Sequence, residues 1–293
     1  MNISQDGGKI KHFFESDIGT FLTEFPADIH KGDRGGVLIL GGSWHYRGAP
    51  LLAALAALRT GAGLAVLAIP DYIVDAASIM LPEAVFLPLK TMDANIVEEN
   101  LFDVLEPWLK RVGALVIGPG IGRDKGLKAI IERFWSHYDM PMLIDADALY
   151  FVAQAWDEMP YRENIIITPH SGEAGRILNK TASEINNDRY ANVIQLSQRV
   201  GTALLKGKNT MISSCGETRV VDQGSPTLAV PGSGDVLSGC IGALLARGLS
   251  PFDAATCGVL VHAVAGESLG QSVGVSGILA REIADALPSV IRL

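Results

Sequence analysis

Several features are scarce in this sequence of 293 residues, and each scarcity narrows what the protein can be. The three cysteines, Cys215, Cys240 and Cys257, include no pair at CxxC spacing, which argues against a disulfide scaffold and against a zinc site. Free thiols are typical of a reducing compartment, so we expect a cytoplasmic protein. The chain has no run of Lys or Arg and a net charge of −8, which argues against nucleic acid as a partner.

The sequence also lacks a long uninterrupted apolar segment. Its start, "MNISQDGGKIKHFF", has no apolar core of the kind found in signal peptides. The most apolar stretch, "APLLAALAALRTGAGLAVLAIP", is interrupted by Arg59, Gly61 and Gly63, so we predict a helix, a turn and a strand there, and no membrane span. A hydrophobic content of 48% and a mean hydropathy of +0.26 indicate a globular protein with a substantial core.

Short β-rich runs alternate with helical patterns along most of the chain. The predicted strands are "GGVLILGG", "LAVLAIP", "ALVIGPG", "MLIDADAL", "NIIITPH" and "TALLKG". Strands joined by crossover helices form a mostly parallel sheet with helices on both faces. The segment "TMISSCGETRVVD" predicts two further strands around Cys215 and Gly216, and three helices follow it. We therefore predict a single α/β domain over residues 35–293, preceded by a loose lead-in over residues 1–34.

Glycine and polar residues gather where these strands end, which is where open α/β sheets bind ligands. The segments are "GGSWHYRGA", "GPGIGRD", "DADAL", "TPHSGE", "KGKNT" and "PGSGD". Two common nucleotide motifs are incomplete. Arg123 stands where G-x-G-x-x-G needs its last glycine, and Asn209 stands where a P-loop needs Ser or Thr. The series predicts a ligand site with neither a dehydrogenase fingerprint nor a P-loop.

Lys206 and His170 each allow two interpretations. Lys206 is either a solvated lysine or a charge that faces nucleotide phosphates, and the nearby Thr210 favours the second interpretation. His170 is either a loop histidine bonded to the backbone or a ring donor for a ligand. The second role for His170 is favoured because Gly172 and Glu173 open a helix beside it.

Three acids at strand ends also have alternative roles. Asp145 and Asp147 could share a hydrated metal, or Asp147 could cap the helix that follows, and we assign no metal ligands from this pattern. Asp235 in "VPGSGDVLSG" could likewise be a helix cap. Yet Gly232 and Gly234 remove side chains from the same helix end, as a backbone that touches phosphate requires, which favours an acid that takes part in chemistry.

Taken together, these segments resemble the NAD(P)H-hydrate dehydratase family, the kinase-like partner of NAD(P)HX epimerase. The resemblance runs from about Gly35 to the C-terminus, with the motifs in the family's order. It implies a ribokinase-like fold and the nucleotide-driven repair of the S-form of hydrated NADH or NADPH. It also implies magnesium as cofactor and ADP or ATP as phosphate donor, of which we expect ADP.

The resemblance also implies roles for particular residues. Asp235 would be the catalytic base, which accepts the proton of the ring hydroxyl as that hydroxyl attacks the terminal phosphate. The hydrated dinucleotide would be bound by Ala49, Gly120, Gly122, His170 and Asp235. The nucleotide would be bound by Lys206, Gly207, Lys208, Asn209, Thr210, Gly232, Ser233 and Gly234.

The expected partners follow from the same resemblance. The family often carries an epimerase domain upstream, and the residues before Gly35 are too few to form one, so we expect the epimerase on a separate chain. Apolar, small-residue helices such as "FDAATCGVLVHAVAGESLG" indicate a homo-oligomer, and we expect a tetramer. Two alternatives remain: a ribokinase-type ATP-dependent kinase for a small molecule or vitamin precursor, and a non-catalytic nucleotide sensor. The presence of Asp235 argues against the sensor.

Overall fold

The computed structural model describes residues 2–3, 9–24, 26, 28–92, 95–96 and 101–291. Its strands are β1 (Asn2–Ile3), β2 (Lys9–Phe13), β3 (Gly36–Leu40), β4 (Leu64–Pro70), β5 (Val85–Leu89), β6 (Thr91–Met92), β7 (Asn95–Ile96), β8 (Ala114–Ile117), β9 (Met142–Ile144), β10 (Arg162–Ile167), β11 (Val200–Leu205), β12 (Thr210–Ser214) and β13 (Glu217–Val221).

The α-helices are α1 (Ile18–Phe21), α2 (Ala49–Arg59), α3 (Val74–Met80), α4 (Leu101–Leu109), α5 (Gly126–His137), α6 (Asp147–Ala155), α7 (Ser171–Leu178), α8 (Ala182–Asn187), α9 (Arg189–Ser197), α10 (Ser233–Ala246), α11 (Pro251–Ser272) and α12 (Ala280–Val290). Short 3₁₀ turns cover Glu15–Asp17, Lys31–Arg34, Asp71–Ile73 and Pro226–Leu228.

One large sheet organises the fold, with the strand order β1-β2-β13-β12-β11-β10-β9-β8-β3-β4-β5. Parallel pairing runs unbroken from β11 through β10, β9, β8, β3 and β4 to β5. The antiparallel β12 and β13 are joined at Cys215 and Gly216, whose φ angles of 46° and 82° suit a two-residue hairpin. The predicted mostly parallel sheet and the predicted hairpin are both confirmed.

Side chains of the central strands alternate between two buried cores. On β3, Val37 and Ile39 pack on the face covered by α2, α10, α11 and α12, whereas Leu38 and Leu40 pack on the face covered by α4, α5, α6 and α9. A strand buried on both faces reads as a continuous apolar run, which is why "GVLIL" shows no polar alternation. The prediction of helices on both faces is therefore confirmed.

Two glycines let α10 lie unusually close to its neighbours. A Cβ on Gly239 would lie 1.9 Å from the carbonyl oxygen of Ala53 in α2, and a Cβ on Gly242 would lie 2.6 Å from Cγ2 of Val116 in β8. Neither position has room for a side chain, so these glycines fix α10 against the sheet. They thereby also fix the place of its N-terminal segment "GSGD".

The prediction of a loose lead-in is wrong for residues 9–24. Strand β2 pairs in parallel with β13, and Phe13 is buried in the core. Arg219 of β13 holds this segment, since its guanidinium lies 5.2 Å from the ring centroid of Phe13 and 3.7 Å from that of Phe252, and 2.7 Å from Oδ1 of Asp253. The domain boundary at residue 35 stays a prediction.

Helix α11 is covered by its own chain. Its residues from Ala254 to Gly266 are all buried, and it packs against α10 and α12. The apolar surface of this helix therefore gives no support for a homo-oligomer or a tetramer, both of which stay predictions. No helix in the described ranges has the length and the apolar character needed to cross a bilayer.

Candidate active site

The predicted site segments converge at one edge of the sheet, because the parallel strands that carry them are neighbours. Lys206 follows β11, His170 follows β10, Asp145 follows β9, and the "GPGIG" segment follows β8. The loop after β3 and the N-terminus of α10 lie against the same edge. Carboxyl ends of parallel strands form the usual ligand-binding crevice of such sheets.

A buried ion pair lies at the base of this edge. Lys206 Nζ is 2.7 Å from Oδ1 of Asp145, and the Ser238 hydroxyl donates to the other carboxylate oxygen at 2.6 Å. Burial alone would raise the pKa of Asp145, but the Lys206 ammonium and these hydrogen bonds hold it below its ordinary value. Burial would lower the pKa of Lys206, but Asp145 and Glu173 raise it. Lys206 is thus not a solvated lysine.

Glu173 brings a further carboxylate to Lys206, with Oε2 lying 3.9 Å from Nζ. The same oxygen accepts a hydrogen bond from the backbone N–H of His170 at 2.8 Å. Burial raises the pKa of Glu173 to about 7, despite the opposing effect of the Lys206 ammonium. One ammonium thus faces more acidic groups than it can neutralise.

Asp235 lies in the first turn of α10 and is partly buried. Its carboxylate accepts no hydrogen bond from the described part of the chain, and the N-cap position of α10 belongs to Gly232. The capping interpretation of Asp235 therefore finds no support. Burial, together with the negative charge of Asp145, raises the pKa of Asp235 to about 7, although Lys206 opposes the shift. A carboxylate poised near neutral pH can accept a proton and release it again.

The N-terminus of α10 is open toward this acid. Gly232 has a φ angle of 87°, and a Cβ there would lie 2.5 Å from Cδ1 of Leu52. The amide of Ser233 donates to the carbonyl of Val230, but the amides of Gly234 and Asp235 donate no hydrogen bond within the described residues. Free first-turn amides and the helix dipole together favour an anion at this position.

Sequence reasoning missed two supporting residues, Ser238 and His262. Ser238 lies 93 positions from Asp145, and His262 Nε2 lies 3.1 Å from the hydroxyl of Ser233, 29 positions away. His262 is buried in α11, and burial lowers its pKa to about 4. The sequence offered a signal for Ser238 alone, because Ser238 lies one helical turn after Gly234 and therefore on the same face of the helix.

We expect the neutral state of His262 to make the protein's stability depend on pH. Because the folded-state pKa lies below the ordinary value of 6.5, the unfolded chain binds an extra proton as the pH falls toward 4. The stability of the wild type relative to His262→Gln should therefore fall by about 2 kcal/mol between pH 7 and pH 5. Urea unfolding of both proteins at the two pH values measures this, with His137→Gln as the exposed-histidine control. If the free energy of unfolding of the wild type differed from that of His262→Gln by the same amount at pH 7 and at pH 5, His262 would not be a buried neutral imidazole.

A second group of predicted residues lies beside the first. Gly120 and Gly122 have φ angles of 61° and 84°, and a Cβ on Gly120 would lie 2.9 Å from Cβ of Ala49. The amide of Gly122 donates to Oδ2 of Asp147 at 3.2 Å, and Nε of Arg123 donates to its Oδ1 at 3.0 Å. Gly120 is buried, and its missing side chain lets the segment pack closely on Tyr46 and Ala49, while Gly122 stays partly exposed.

The capping interpretation of Asp147 is wrong, and the two acids have separate partners. Asp145 turns inward to Lys206, while Asp147 is held by Gly122 and Arg123, so the two carboxylates do not share one position. The helix after β9 has Ala146 at its N-cap and no side-chain cap. Asp147 nevertheless connects the glycine-rich segment with the acids near Lys206, since its negative charge contributes to the raised pKa of Asp235.

The remaining predicted residues have local structural roles. Nδ1 of His170 accepts from the amide of Gly172 at 3.0 Å, which agrees with the loop-histidine interpretation, while the ring stays half exposed. Gly207 and Asn209, with φ angles of 143° and 54°, form the turn between β11 and β12 with the exposed Lys208. The hydroxyl of Thr210 donates to the carbonyl of Gly207 at 2.9 Å and so closes this turn. Within the described residues of the segment "KGKNT", only Lys206 contacts the acids Asp145 and Glu173.

Fold and site together define a ribokinase-like α/β protein. A solved ribokinase-like superfamily protein from Enterococcus faecalis has the same fold, with a TM-score of 0.85 at 24% identity over 99% of this chain and 98% of that one. The family model described as NAD(P)H-hydrate dehydratase matches residues 37–289. The chain belongs to the NAD(P)H-hydrate dehydratase family.

Two relatives show the extent of the similarity. A protein of Thermanaerovibrio acidaminovorans named bifunctional NAD(P)H-hydrate repair enzyme is 38% identical over 256 residues, which are 87% of this chain and 50% of that protein. This chain thus spans about half the length of the curated relatives it matches. A Bacillus subtilis structure titled ADP/ATP-dependent NAD(P)H-hydrate dehydratase, co-crystallised with ATP and Mg²⁺, has a TM-score of 0.80 at 27% identity, covering 96% of this chain and 97% of that one.

Proposed function

We propose that this chain dehydrates the S-form of NAD(P)H hydrate to NAD(P)H, with ADP as the favoured phosphate donor. The observation that carries the proposal is the carboxylate of Asp235, which lacks a hydrogen-bond partner in the described structure and has a pKa of about 7. It lies beside the free amides of Gly234 and Asp235. A base and an anion site in contact are what a hydroxyl needs in order to attack a phosphate.

The first step is phosphoryl transfer. Asp235 takes the proton of the ring hydroxyl, and the hydroxyl oxygen forms a bond to the terminal phosphorus of the nucleotide. The bond from that phosphorus to the bridging oxygen breaks, so AMP leaves when the donor is ADP. The free amides at the start of α10 and the Lys206 ammonium stabilise the charge that develops on the phosphoryl oxygens.

The second step is elimination. The lone pair of the ring nitrogen expels phosphate by breaking the bond between carbon and oxygen, and the departing phosphate accepts a proton from the neighbouring ring carbon, which restores the double bond. Phosphorylation is needed because hydroxide is a poor leaving group. The dinucleotide would lie against the partly exposed Ala49 and Gly122, which the buried Gly120 holds in place, and the exposed His170 ring would line its edge.

Magnesium fits this site as a companion of the nucleotide. The described residues contain no group of three His, Cys, Asp or Glu side chains that could hold a metal ion. Mg²⁺ commonly binds through substrate phosphates and water with only one or two protein carboxylates, so the ion would be held mainly by the nucleotide and Asp235 would stay free to accept the proton. The ion would neutralise charge on the phosphates during transfer.

A kinase that keeps its phosphorylated product is the alternative with the same fold. The experiment incubates the protein with (S)-NADH hydrate, magnesium and either ADP or ATP, and follows free phosphate and reduced-nicotinamide absorbance. We expect equal amounts of phosphate and restored NADH, faster with ADP. Retention of a phosphorylated hydrate would identify a kinase, and nucleotide binding without turnover would identify a sensor. NADH given without hydrate should remain unconsumed, since a dehydrogenase fingerprint is absent.

We also propose a functional partner, a cellular location and an oligomeric state. The relatives' name, bifunctional repair enzyme, supports an NAD(P)HX epimerase as the functional partner. A cytoplasmic location agrees with the three free cysteines. Light scattering at micromolar concentration tests the tetramer, because a 31.1 kDa particle would contradict any homo-oligomer.

A further inference from the structure

An exposed aromatic and guanidinium cluster lies on the site's edge of the sheet, and we name Trp44, Arg47 and Tyr72 the Arg47 platform. The guanidinium carbon of Arg47 lies 4.3 Å from the ring centroid of Trp44 and 5.7 Å from that of Tyr72. Nε of Arg47 donates to the carbonyl of Trp44 at 3.0 Å, which fixes the plane of the guanidinium. Trp44 is 53% exposed, so the platform is open to a ligand.

Arg47 is a preorganised cation without a carboxylate partner among the described residues. The neighbouring acid, Asp71, is engaged elsewhere, since its Oδ1 accepts from the amide of Tyr72 at 2.8 Å and from the hydroxyl of Thr91 at 2.9 Å. A stacked guanidinium keeps the N–H groups at its rim available for an anion. The chain has a net charge of −8, yet this arginine has no carboxylate partner among the described residues. An arginine held in this way is suited to bind a phosphate ester.

The platform is continuous with the dinucleotide surface. Tyr46, between Trp44 and Arg47, packs on the "GPGIG" segment, where a Cβ on Gly120 would lie 2.6 Å from its carbonyl oxygen. Tyr72 follows β4, three strand positions from β9, which carries Asp145. At the usual spacing between strands, this separation is about 14 Å. Lys206 lies on the opposite side of β9, so the platform lies away from the phosphate donor.

These positions suggest which part of the ligand reaches the platform. With its ring hydroxyl at Asp235 and its pyrophosphate over the partly exposed Gly122, a dinucleotide would extend its adenosine half toward Trp44. Adenine is an aromatic ring that can stack on an exposed indole. The phosphate that NADPH carries and NADH lacks is attached to the adenosine ribose, on this same half.

We propose that Arg47 binds the 2′-phosphate of NADPH hydrate while Trp44 provides a face for its adenine, so that the phosphorylated dinucleotide is preferred over NADH hydrate. This inference rests on the proposed function for the location and direction of the dinucleotide. It makes Arg47 a specificity-determining residue.

The experiment measures binding of NADPH and of NADH, the reaction products, by calorimetry with saturating ADP and magnesium. We expect the wild type to bind NADPH about tenfold or more tightly than NADH, the usual effect of charge-assisted hydrogen bonds to a phosphate. Arg47→Ala should remove this preference and leave NADH affinity nearly unchanged. Arg111→Ala is the matched control, because Arg111 stacks 4.7 Å over Trp108 at the opposite edge of the sheet and should affect neither ligand.

Three results would overturn the proposal. The wild type would show no preference, or Arg47→Ala would weaken both dinucleotides equally, or the variant would lose both affinities together with a change of oligomeric mass, which would identify a subunit interface. Failure of the proposed function looks different. A preference for NADPH that depends on Arg47, without hydrate turnover, would support this subsite and reject the dehydratase. Hydrate turnover without such a preference would support the dehydratase and reject this subsite.

Discussion

Asp235→Asn should lower kcat by a factor on the order of 10²–10⁴, the usual contribution of positioned proton transfer. Asparagine keeps the size of the side chain but cannot accept the hydroxyl proton. Nucleotide affinity should persist or improve, because a negative charge beside the phosphates has been removed. The measurement is the recovery of reduced-nicotinamide absorbance from hydrated NADH, with nucleotide titration of the same preparation.

The same variant should be more stable than the wild type at alkaline pH. The folded-state pKa of Asp235, about 7, lies above the ordinary value of 3.8, so ionising this carboxyl opposes folding. The cost is absent below about pH 4, grows as the pH rises, and is fully present above pH 7. Allowing for partial exposure, Asp235→Asn should gain about 1–3 kcal/mol at pH 8.

Asp253→Asn is the matched control, since Asp253 occupies the same first-turn position in α11 that Asp235 occupies in α10. Asp253 accepts from the Ser250 hydroxyl and pairs with Arg219, so its loss should lower stability and leave kcat unchanged. An Asp235→Asn protein that folds, binds nucleotide and keeps more than about a tenth of wild-type kcat would exclude Asp235 as the base.

The sequence predicted where the site lies better than how it is held together. Strand-end segments could be read because β-runs and helices alternate, and in a parallel sheet this alternation brings Lys206, Asp145 and the "GPGIG" segment to one edge. The partners of those residues depend on tertiary distances. The contact of Ser238 with Asp145 and that of His262 with Ser233 join positions far apart in the chain, and no local pattern reports them.

Two other segments are difficult to interpret from the sequence, for local physical reasons. Strand β2 is not predicted because "KIKHF" has only two apolar residues, Ile10 and Phe13, and they do not alternate regularly with polar ones, while its place in the sheet depends on β13. Nucleotide binding by the segment "KGKNT" stays a prediction, because the positive φ angles of Gly207 and Asn209 are also what a hairpin turn requires. Turn chemistry and phosphate binding both use glycine and short polar side chains, so sequence alone does not separate them.

Lys206→Met should destabilise the protein by about 3–5 kcal/mol, the usual effect of leaving a buried charge without its partner. Asp145 would keep only the hydrogen bonds from Ser238 and from the amide of Ala146. Asp145→Asn should cost less, because Lys206 retains Glu173 at 3.9 Å and the charge of Asp235. Urea unfolding at pH 8 measures both. Arg59→Met is the control, since its exposed pair with Asp285 should contribute no more than about 1 kcal/mol.

The double variant Asp145→Asn, Lys206→Met separates structure from chemistry. With both charges gone, no ion is left buried and unpaired, so much of the lost stability should return. Activity should stay low, because the ammonium that faces the transferring phosphate is absent. Lys206 opposes the rise in the pKa of Asp235 and Asp145 contributes to it more strongly, so Lys206→Met alone should move the pH at which Asp235 ionises upward, whereas the double variant should move it downward. A double variant no more stable than Lys206→Met would contradict the cost of an unpaired buried charge, and a double variant with wild-type kcat would show that Lys206 does not act on the phosphate.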